Sequence, residues 1–486
     1  MRILLLSTYE LGHQPLGLAR PAADLTAAGH DVACQDLAID HLDDALVRAA
    51  GLVGISVPMH TATRLGARLA ERVRALNPAA HVAFYGLYAG LHADVLLGHL
   101  ADSVVGGEFE GPLVALADAL AAGGTLPAIG GIQMAAHDGG VFLGRQAFSL
   151  PRRDLLPPLE RYAHVDTGER RKPAGYVEAS RGCAHRCLHC PITPVYGGRL
   201  RIVGQDAVLD DISQLVEIGA EHITFGDPDF FNGIRHSLRI VEALHAAHPH
   251  VTFDATIKVE HILEHRQHVP TLAQNGCLFV VSAVEAVQDH ILANFNKGHS
   301  AADVVEALRI MAASDIPLRP TFVPFTPWTA ADDYLGLLRF VAQHGLIRHV
   351  DPIQLAIRLL VPRGSSLVGT PAMAPHLGPF DPDTFSYRWA HPNPRMDALQ
   401  ETVAARVEGA IRGDEDAVET FGAIAALAEA AVGGGPHPQP LSLPWERGAE
   451  VESASVARLP LSRVRERGPG GEGLPFIPRL TESWFC

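Results

Sequence analysis

The chain has 486 residues and a formal net charge of −15, with 47% hydrophobic and 19% charged residues. At roughly 150 residues per domain this length allows about three domains, which excludes a single small module, and the apolar content excludes global disorder. The excess of acidic residues would repel a phosphate backbone, so the charge excludes a general nucleic-acid binder and no nucleic-acid partner is expected.

The amino terminus combines one basic residue, Arg2, with an apolar run too short for a secretory signal. No other run reaches the roughly 18–20 apolar residues that cross a bilayer. We therefore expect a cytoplasmic protein without a membrane partner. Six cysteines are too few for a disulfide scaffold, and three of them lie within eight positions, which in a reducing compartment indicates a metal.

Residues 1–125 alternate short apolar runs with amphipathic helical stretches, and this alternation predicts an α/β domain with a doubly wound parallel sheet. The predicted strands are 2–7, 31–34, 52–57, 81–85 and 103–105. Ligands of such sheets bind at the carboxyl ends of the strands, where this chain has glycine-rich turns at 86–90 and 106–107.

Residues 126–175 are interpreted as a linker that contains the proline-rich stretch 150–158. From 176 to 370 the alternation resumes, and the predicted strands are 176–178, 222–225, 252–256, 278–282, 318–322 and 353–358. Six strands separated by helical patterns predict a partial or complete α/β barrel.

The rest of the chain falls into three parts. Residues 371–432 are predicted to be a helical region, with a pattern rich in alanine, glutamate and leucine from 390 onwards. Residues 433–475 turn to proline, glycine, arginine and glutamate and contain a twofold repeat, which is typical of a disordered insertion. The tail 476–486 regains aromatic and apolar character, so we expect it to dock on the body of the protein.

The strongest chemical signal is a cysteine triplet, Cys183, Cys187 and Cys190, which follows the first predicted barrel strand. Thiolates select soft metals, and three on one short loop suit an iron–sulfur cluster. Because a [4Fe-4S] cluster has four irons, three cysteines leave one iron open to an exogenous ligand, as catalysis requires. The alternative is a structural zinc with His185 or His189 as its fourth ligand, although zinc sites usually present two separated ligand pairs.

The spacing Cys-x3-Cys-x2-Cys after a first barrel strand resembles the signature of the radical S-adenosylmethionine (SAM) superfamily, and the segment 191–201 resembles members with an amino-terminal cobalamin-binding domain. This resemblance spans about residues 1–370. It implies that SAM chelates the open iron and that an electron from the reduced cluster cleaves it to methionine and a 5′-deoxyadenosyl radical. It also implies an external electron donor, with the barrel orienting the cofactors.

Four further residues match positions of that superfamily. Asp227, after the second barrel strand, resembles the residue that approaches the SAM amino group, with an acidic turn or helix N-cap as the alternative. Ser282 and Glu285 resemble the segment of the fourth strand that contacts the ribose. Arg358 is expected to pair with the SAM carboxylate, and a structural salt bridge is equally compatible with its position.

The carboxyl terminus, 481–486, resembles that of radical SAM proteins named for a Cys-(Sec or Cys)-Ala-Glu-Pro tail. The chain stops after the first cysteine of that pattern, as it would if a selenocysteine codon were read as termination; an ordinary terminal cysteine is the alternative. We expect the preceding insertion to act as a tether that carries Cys486 to the active site, where its deprotonated form would be catalytic.

One departure from the family leaves cobalamin binding open. Domains that ligate cobalt through histidine carry Asp-x-His-x-x-Gly after the first strand, whereas Glu10, His13 and Gly17 are out of register with that motif. Either cobalamin binds without a protein histidine, or the domain is a scaffold without cobalt. Cys34 and Cys277 are expected to be small buried residues, and the 26 histidines show no metal-binding spacing.

The sequence therefore predicts a radical SAM enzyme that uses a [4Fe-4S] cluster and SAM, assisted by cobalamin where it binds, to abstract hydrogen from or methylate a small-molecule or peptide substrate. The rival hypothesis is an iron–sulfur electron-transfer or regulatory protein without SAM chemistry. A third hypothesis is a peptide-modifying system in which the cysteine tail acts on itself or on a partner.

Overall fold

A computed structural model of the chain describes residues 1–432 and 477–481. These residues form two seven-stranded sheets and two small two-stranded sheets. The predicted insertion at 433–475 and the terminal Cys486 lie outside the described residues.

The amino-terminal sheet is doubly wound, which confirms the prediction. Its strands are β1 (Arg2–Ser7), β2 (Asp31–Asp36), β3 (Leu52–Ser56), β4 (His81–Tyr85), β5 (Ser103–Val105), β6 (Ile132–Met134) and β7 (His137–Asp138). Its helices are α1 (Leu16–Ala27), α2 (Asp44–Ala49), α3 (His60–Leu76), α4 (Leu87–Leu91), α5 (Ala93–His99) and α6 (Glu110–Ala122).

Five strands of this sheet run parallel in the order β2-β1-β3-β4-β5, and β6 and β7 extend one edge in antiparallel pairing. All five residues of β3 are buried because helices cover both faces. The strand order changes direction between β1 and β3, and ligands of doubly wound sheets bind at the carboxyl edge of that point.

The second sheet curls into a partial barrel. The strands between residues 164 and 322 are β8 (His164–Asp166), β9 (Arg171–Val177), β10 (Ser180–Gly182), β11 (Leu200–Ile202), β12 (His222–Phe225), β13 (Thr252–Thr256), β14 (Cys277–Glu285) and β15 (Leu318–Phe322). The helices of this part are α7 (Ile192–Tyr196), α8 (Gln205–Glu217), α9 (Ile234–Ala247), α10 (Val259–Glu264), α11 (Val269–Gln274), α12 (Asp289–Phe295), α13 (Ala301–Ala312) and α14 (Ala331–Gln343).

The barrel wall consists of five parallel strands in the order β9-β12-β13-β14-β15. The predicted sixth strand at 353–358 is wrong, because Pro352–Leu355 form a 3-10 helix and Arg358 makes an isolated bridge with Phe325. Pro352 is the first residue of this turn, and its fixed φ of about −65° suits the start of a helical turn. The barrel is therefore partial.

The segment interpreted as a linker contributes to both sheets, since β6 and β7 extend the first and β8 begins the second. After the barrel come a hairpin of β16 (Leu377–Asp381) and β17 (Ser386–Trp389) and the helices α15 (Pro394–Arg412) and α16 (Ala417–Val432). The last described strand, β18 (Arg479–Leu480), pairs with β8, so this part of the tail docks on the barrel as expected. Among the described helices, none combines the length and hydropathy that crossing a membrane requires.

The β16–β17 hairpin packs on the amino-terminal sheet around His92, whose side chain is fully buried. The rings of Tyr88, Phe380 and Phe385 lie 6.1, 6.2 and 5.2 Å from the His92 ring, centroid to centroid. Within the described residues, neither ring nitrogen of His92 has a hydrogen-bond partner. Burial, with a smaller contribution from neighbouring His60, lowers the pKa of His92 to about 3.

Replacing His92 with phenylalanine should make the protein more resistant to acid. The unfolded chain protonates His92 near pH 6.5, whereas the folded chain keeps the ring neutral down to about pH 3, so stability is lost as the pH falls through this window. H92F removes that loss. Between pH 7.5 and pH 5 its free energy of unfolding should therefore fall by about 2 kcal/mol less than that of wild type. Urea unfolding of both proteins at the two pH values measures the difference.

The control H250Q alters an exposed histidine and should leave the pH dependence of wild type unchanged. Equal pH dependence of H92F and wild type would contradict the prediction.

Candidate metal centre at the junction of the two sheets

The three cysteines lie on a loop whose two ends are joined by the hairpin of β10 and β11, which pairs Gly182 with Leu200. Gly182 has a positive φ of 75°, and a Cβ atom there would lie 2.4 Å from the carbonyl oxygen of Arg199. The hairpin therefore requires glycine directly before Cys183. The loop follows β9, so it lies at the carboxyl edge of the barrel.

Burial raises the pKa of the Cys183 thiol and raises that of Cys190 to about 12, and the neighbouring Cys187 contributes to both shifts. Three clustered thiolates are therefore unfavourable without a compensating positive charge. Iron bound between them would supply that charge, and metal binding is coupled to thiol deprotonation. The donor set fits a [4Fe-4S] cluster held by Cys183, Cys187 and Cys190.

Two residues that the sequence analysis did not assign to the site contact this loop. The Asn232 side chain donates from Nδ2 to Cys183 Sγ at 3.5 Å and accepts from the amide of Ala184 at 3.3 Å. Although burial opposes the shift, Glu285 and then Cys187 and Cys190 raise the pKa of the Lys297 ammonium. Lys297 follows α12 in a Lys-Gly-His pattern, whereas the sequence around Asn232 carries no comparable signal.

Glu285 ends β14 beside this loop. Its Oε1 atom lies 3.1 Å from His189 Nε2 and 3.3 Å from Lys297 Nζ. Although burial opposes it, Lys297 and then His189 lower the pKa of Glu285 to about 2. Glu285 also has a positive φ of 69°, a strained backbone conformation for a residue with a side chain, and such strain concentrates at functional sites.

Asp227 and Ser282 are both buried in the barrel. Asp227 accepts from the Ala179 amide at 2.9 Å and from the Ser180 hydroxyl, and burial raises its pKa to about 7. These contacts attach the turn after β9 to the end of β12. Among the described residues, the Ser282 hydroxyl has no hydrogen-bond partner, and a buried polar group of this kind often contacts a ligand. The predicted SAM contacts of both residues stay predictions.

The contacts that Arg358 makes are with residues outside the cysteine loop. Its Nη1 atom is 2.6 Å from Asp397 Oδ1, its Nη2 atom donates to the Trp389 carbonyl at 2.8 Å, and its guanidinium stacks 3.6 Å from the centroid of the Trp389 ring. These contacts join the barrel to α15 and β17, so they favour the structural salt bridge over the SAM carboxylate as its partner.

Each histidine of the cysteine loop directs its Nε2 atom at a carboxylate outside the loop, which does not favour the zinc alternative. His189 Nε2 contacts Glu285, and His185 Nε2 lies 3.3 Å from Asp229 Oδ2. The predicted catalytic residue Cys486 lies outside the described residues.

A buried charge network attaches the cysteine loop to the amino-terminal domain. Arg181, two residues before Cys183, contacts Glu108 at 3.2 Å, Glu110 at 2.7 Å and Glu178 at 2.8 Å, and its side chain is only 8% exposed. Glu108 and Glu110 follow β5, so the carboxyl edges of both sheets meet at this guanidinium.

Three further contacts complete the junction. Arg20 of α1 pairs with Glu178 at 3.0 Å, and Tyr196 of α7 donates to Glu108 at 2.9 Å. His13, which follows β1, packs its ring 5.0 Å from that of Tyr176 in β9. The loop after β1, the loop after β5 and the cysteine loop are thereby held together.

Residues 177–334 match the sequence model of the Radical SAM superfamily. The chain is 25% identical over 324 residues to the hopanoid C-3 methylase of Methylococcus capsulatus, covering 65% of this chain and 62% of that protein. It is 24% identical over 347 residues to an uncharacterized methyltransferase of Pyrococcus horikoshii, covering 67% and 72% respectively. The chain therefore spans somewhat less than two thirds of the methylase.

Two solved structures share the fold. The cobalamin-dependent SAM radical enzyme OxsB, with aqua-cobalamin bound, gives a TM-score of 0.65 at 14% identity, covering 84% of this chain and 67% of that one. The radical SAM methyltransferase TsrM of Kitasatospora setae, with cobalamin and a [4Fe-4S] cluster bound, gives 0.56 at 17% identity, covering 71% and 70%. These similarities confirm the predicted α/β fold of a doubly wound domain followed by a barrel.

Substituting Arg181 should destabilise the junction more than any exposed charge change. R181Q leaves the buried Glu108 and Glu110 and the partly buried Glu178 with Arg20 as the remaining cation of the network, and breaking a buried ion pair on one side costs about 3–5 kcal/mol. The matched control R309Q breaks a pair with Glu306 at a side chain that is 61% exposed, which should cost far less. Urea unfolding measures both. Equal losses of stability in the two variants would contradict the role given to the network.

Proposed function

We propose that this chain, whose residues 177–334 are a radical SAM domain, is a methyltransferase that cleaves SAM with a [4Fe-4S] cluster and uses cobalamin bound to the amino-terminal domain. The observation that carries the proposal is the triplet of Cys183, Cys187 and Cys190 on a loop held against the carboxyl edges of both sheets. The substrate is a small molecule or a peptide, and a reducing partner supplies electrons.

The residues around the loop have separable roles in this proposal. A [4Fe-4S] cluster held by the three cysteines would supply the electron that cleaves SAM. Lys297 places a positive charge beside Cys187 and Cys190 and so stabilises the negative charge of the thiolates. Asn232 donates to Cys183, and hydrogen bonds to cluster sulfurs tune the reduction potential. The ionised Glu285 and the unpartnered Ser282 hydroxyl offer an acceptor and a donor for the ribose hydroxyls of SAM.

In this proposal the carboxyl edge of the β1–β3 switch point would hold cobalamin, and His13 would not be among the residues that contact its metal. His13 is 2% exposed and packs on Tyr176, so its ring belongs to the domain junction. Burial, ahead of any other influence, lowers the pKa of His13 to about 4 and raises that of Glu10 to about 8. Both groups are therefore neutral near pH 7, which suits an apolar corrin environment better than a charged one.

The rival electron-transfer function requires no SAM site. The unpartnered Ser282 and the strained Glu285 beside the cysteine loop favour the enzyme, because a protein that only carries electrons has no need of polar groups prepared for a nucleoside. Similarity to two methyl-transferring relatives also supports methyl transfer over hydrogen abstraction alone.

Anaerobic reconstitution with iron, sulfide and hydroxocobalamin tests the function. Wild type should retain about four iron atoms and one corrinoid per chain and should form 5′-deoxyadenosine or S-adenosylhomocysteine when SAM and a reductant are added. C183A, C187A and C190A should each lose the cluster and both products. C277A changes a buried cysteine of β14 and should retain them. A triple alanine variant that still converts SAM, or a loaded wild type that does not, would overturn the proposal.

We also propose that the tail delivers Cys486 to the catalytic face. β18 is antiparallel to β8, which is antiparallel to β9, so β18 runs in the same direction as the barrel strands, toward their carboxyl ends. Thr481 donates from its amide to His164, which is paired with Pro173, four residues before the end of β9. The four residues from Pro173 to the end of β9 span about 13 Å, and the five residues beyond Thr481 reach up to about 17 Å when extended.

The resemblance to the Cys-(Sec or Cys)-Ala-Glu-Pro tail family supports the same role for Cys486. Alkylation of the loaded enzyme, followed by mass spectrometry, should show Cys486 reacting at least fivefold more slowly when SAM is bound, because the cofactor covers the site. The half-buried Cys34 of β2 provides the control and should react at the same rate in both states. Equal rates at Cys486 with and without SAM would place the tail away from the cofactor.

A further inference from the structure

A buried carboxylate at the barrel edge points one oxygen at two imidazoles. Asp229, after β12, is 2% exposed, and its Oδ1 atom accepts from the amides of Phe231 at 3.2 Å and Lys258 at 3.4 Å. These backbone contacts fix the orientation of the carboxylate. The other oxygen, Oδ2, makes no hydrogen bond of normal geometry within the described residues.

His185 and His261 face that free oxygen. His185 Nε2 lies 3.3 Å and His261 Nδ1 lies 2.7 Å from Asp229 Oδ2, and the two ring centroids are 4.5 Å apart. The side chains of His185 and His261 are 16% and 12% exposed. Neither nitrogen makes a hydrogen bond of normal geometry in the described part of the chain, so three ligand atoms converge without satisfying one another.

We propose that His185, Asp229 and His261 bind a divalent transition-metal ion, Zn²⁺ or Fe²⁺, as a second metal centre separate from the cysteine triplet. The three ligand atoms lie within 4.8 Å of one another. Atoms bound to one zinc at about 2.0–2.1 Å are roughly 3.3 Å apart in tetrahedral geometry, which equals the distance from His185 Nε2 to Asp229 Oδ2, whereas the shorter distance from His261 Nδ1 to that oxygen would have to lengthen. Two histidines and one carboxylate suit zinc or ferrous iron and leave a coordination position for water or a substrate group.

Two charged groups surround the outer nitrogen of His185. Lys258 Nζ lies 3.1 Å and Glu260 Oε2 lies 3.6 Å from His185 Nδ1, and Lys258 and Glu260 pair at 2.8 Å. In this contact Nδ1 accepts from the Lys258 ammonium, whereas a histidine that ligates through Nε2 carries its proton on Nδ1 and normally donates it to a carboxylate. Metal binding would therefore replace the Lys258 contact with donation from Nδ1 to Glu260. Asp229 and Glu260 contribute two carboxylates against the one ammonium of Lys258, so these three groups carry an excess of negative charge beside the site.

The three ligands come from the cysteine loop, the turn after β12 and the start of α10 after β13. A metal ion at this point would attach the cysteine loop to the barrel through residues other than those of the Arg181 network. The inference depends only on these residues and not on the proposed methyl transfer.

Metal content tests the site. The reconstituted holoprotein, dialysed against a chelator and then titrated with Zn²⁺, should bind one zinc per chain beyond its iron. D229N retains Oδ1 as the backbone acceptor and replaces the facing oxygen with an amide, so it should weaken zinc binding at least 100-fold while iron content and unfolding temperature stay unchanged. H261Q should do the same, and the exposed control H250Q should bind zinc as wild type does.

Two further variants separate the alternatives. The triple alanine variant of the cluster cysteines should still bind one zinc, so failure of the cluster proposal leaves this test intact. Loss of zinc in H265A but not in D229N would assign binding to the neighbouring group of His261, Glu264 and His265 and overturn the inference. Full zinc retention by D229N, or no zinc bound by wild type, would also overturn it, since His185, Asp229 and His261 would then form a hydrogen-bonded cluster without metal.

Discussion

The buried guanidinium of Arg181 is the constraint on which the arrangement of the site depends. A charge in the protein interior is tolerated only when it is paired, and Arg181 meets this requirement with carboxylates from both domains. Because Arg181 lies two residues before Cys183, satisfying its charge also fixes where the cysteine loop begins. The ring faces of Phe109 and Phe148, 5.1 and 5.3 Å from the guanidinium, further confine it.

This constraint has a chemical consequence, because it brings the carboxyl edges of two sheets face to face. Each edge alone would present its loops to solvent, whereas the side chains of Arg181, Glu108 and Glu110 are buried where the edges meet. A low-dielectric interior strengthens every charge interaction within it, including those of Lys297 with Glu285 and the thiols.

Two buried carboxyl groups at the carboxyl edge of the barrel, Glu285 and Asp227, have different surroundings. Near β14, Glu285 is paired with Lys297 and His189, so it stays ionised in the interior. Near β12, Asp227 is held by neutral donors, and its carboxyl group is much easier to protonate. Carboxyl groups with such different pKa values in one site can take different roles, one as a permanent acceptor and one as a group that exchanges a proton.

The sequence by itself determined most strands of the two large parallel sheets and singled out the cysteine triplet. Strands such as β4, β5, β12, β13 and β15 match their predicted bounds because short apolar runs between helical patterns have few alternatives. The cysteine triplet is readable because its three residues are neighbours in the chain. At 353–358 the apolar run predicted a strand, but the structure has a 3-10 helix that begins at the preceding proline.

Only the tertiary structure decided which distant residues meet. His185, Asp229 and His261 belong to three separate segments, and no spacing rule links them, because the distance between them is set by the curl of the barrel. The same holds for Arg181 with Glu108 and for Arg358 with Trp389. Periodicity reports which face of an element is buried, whereas the partner across the interface depends on how whole sheets pack.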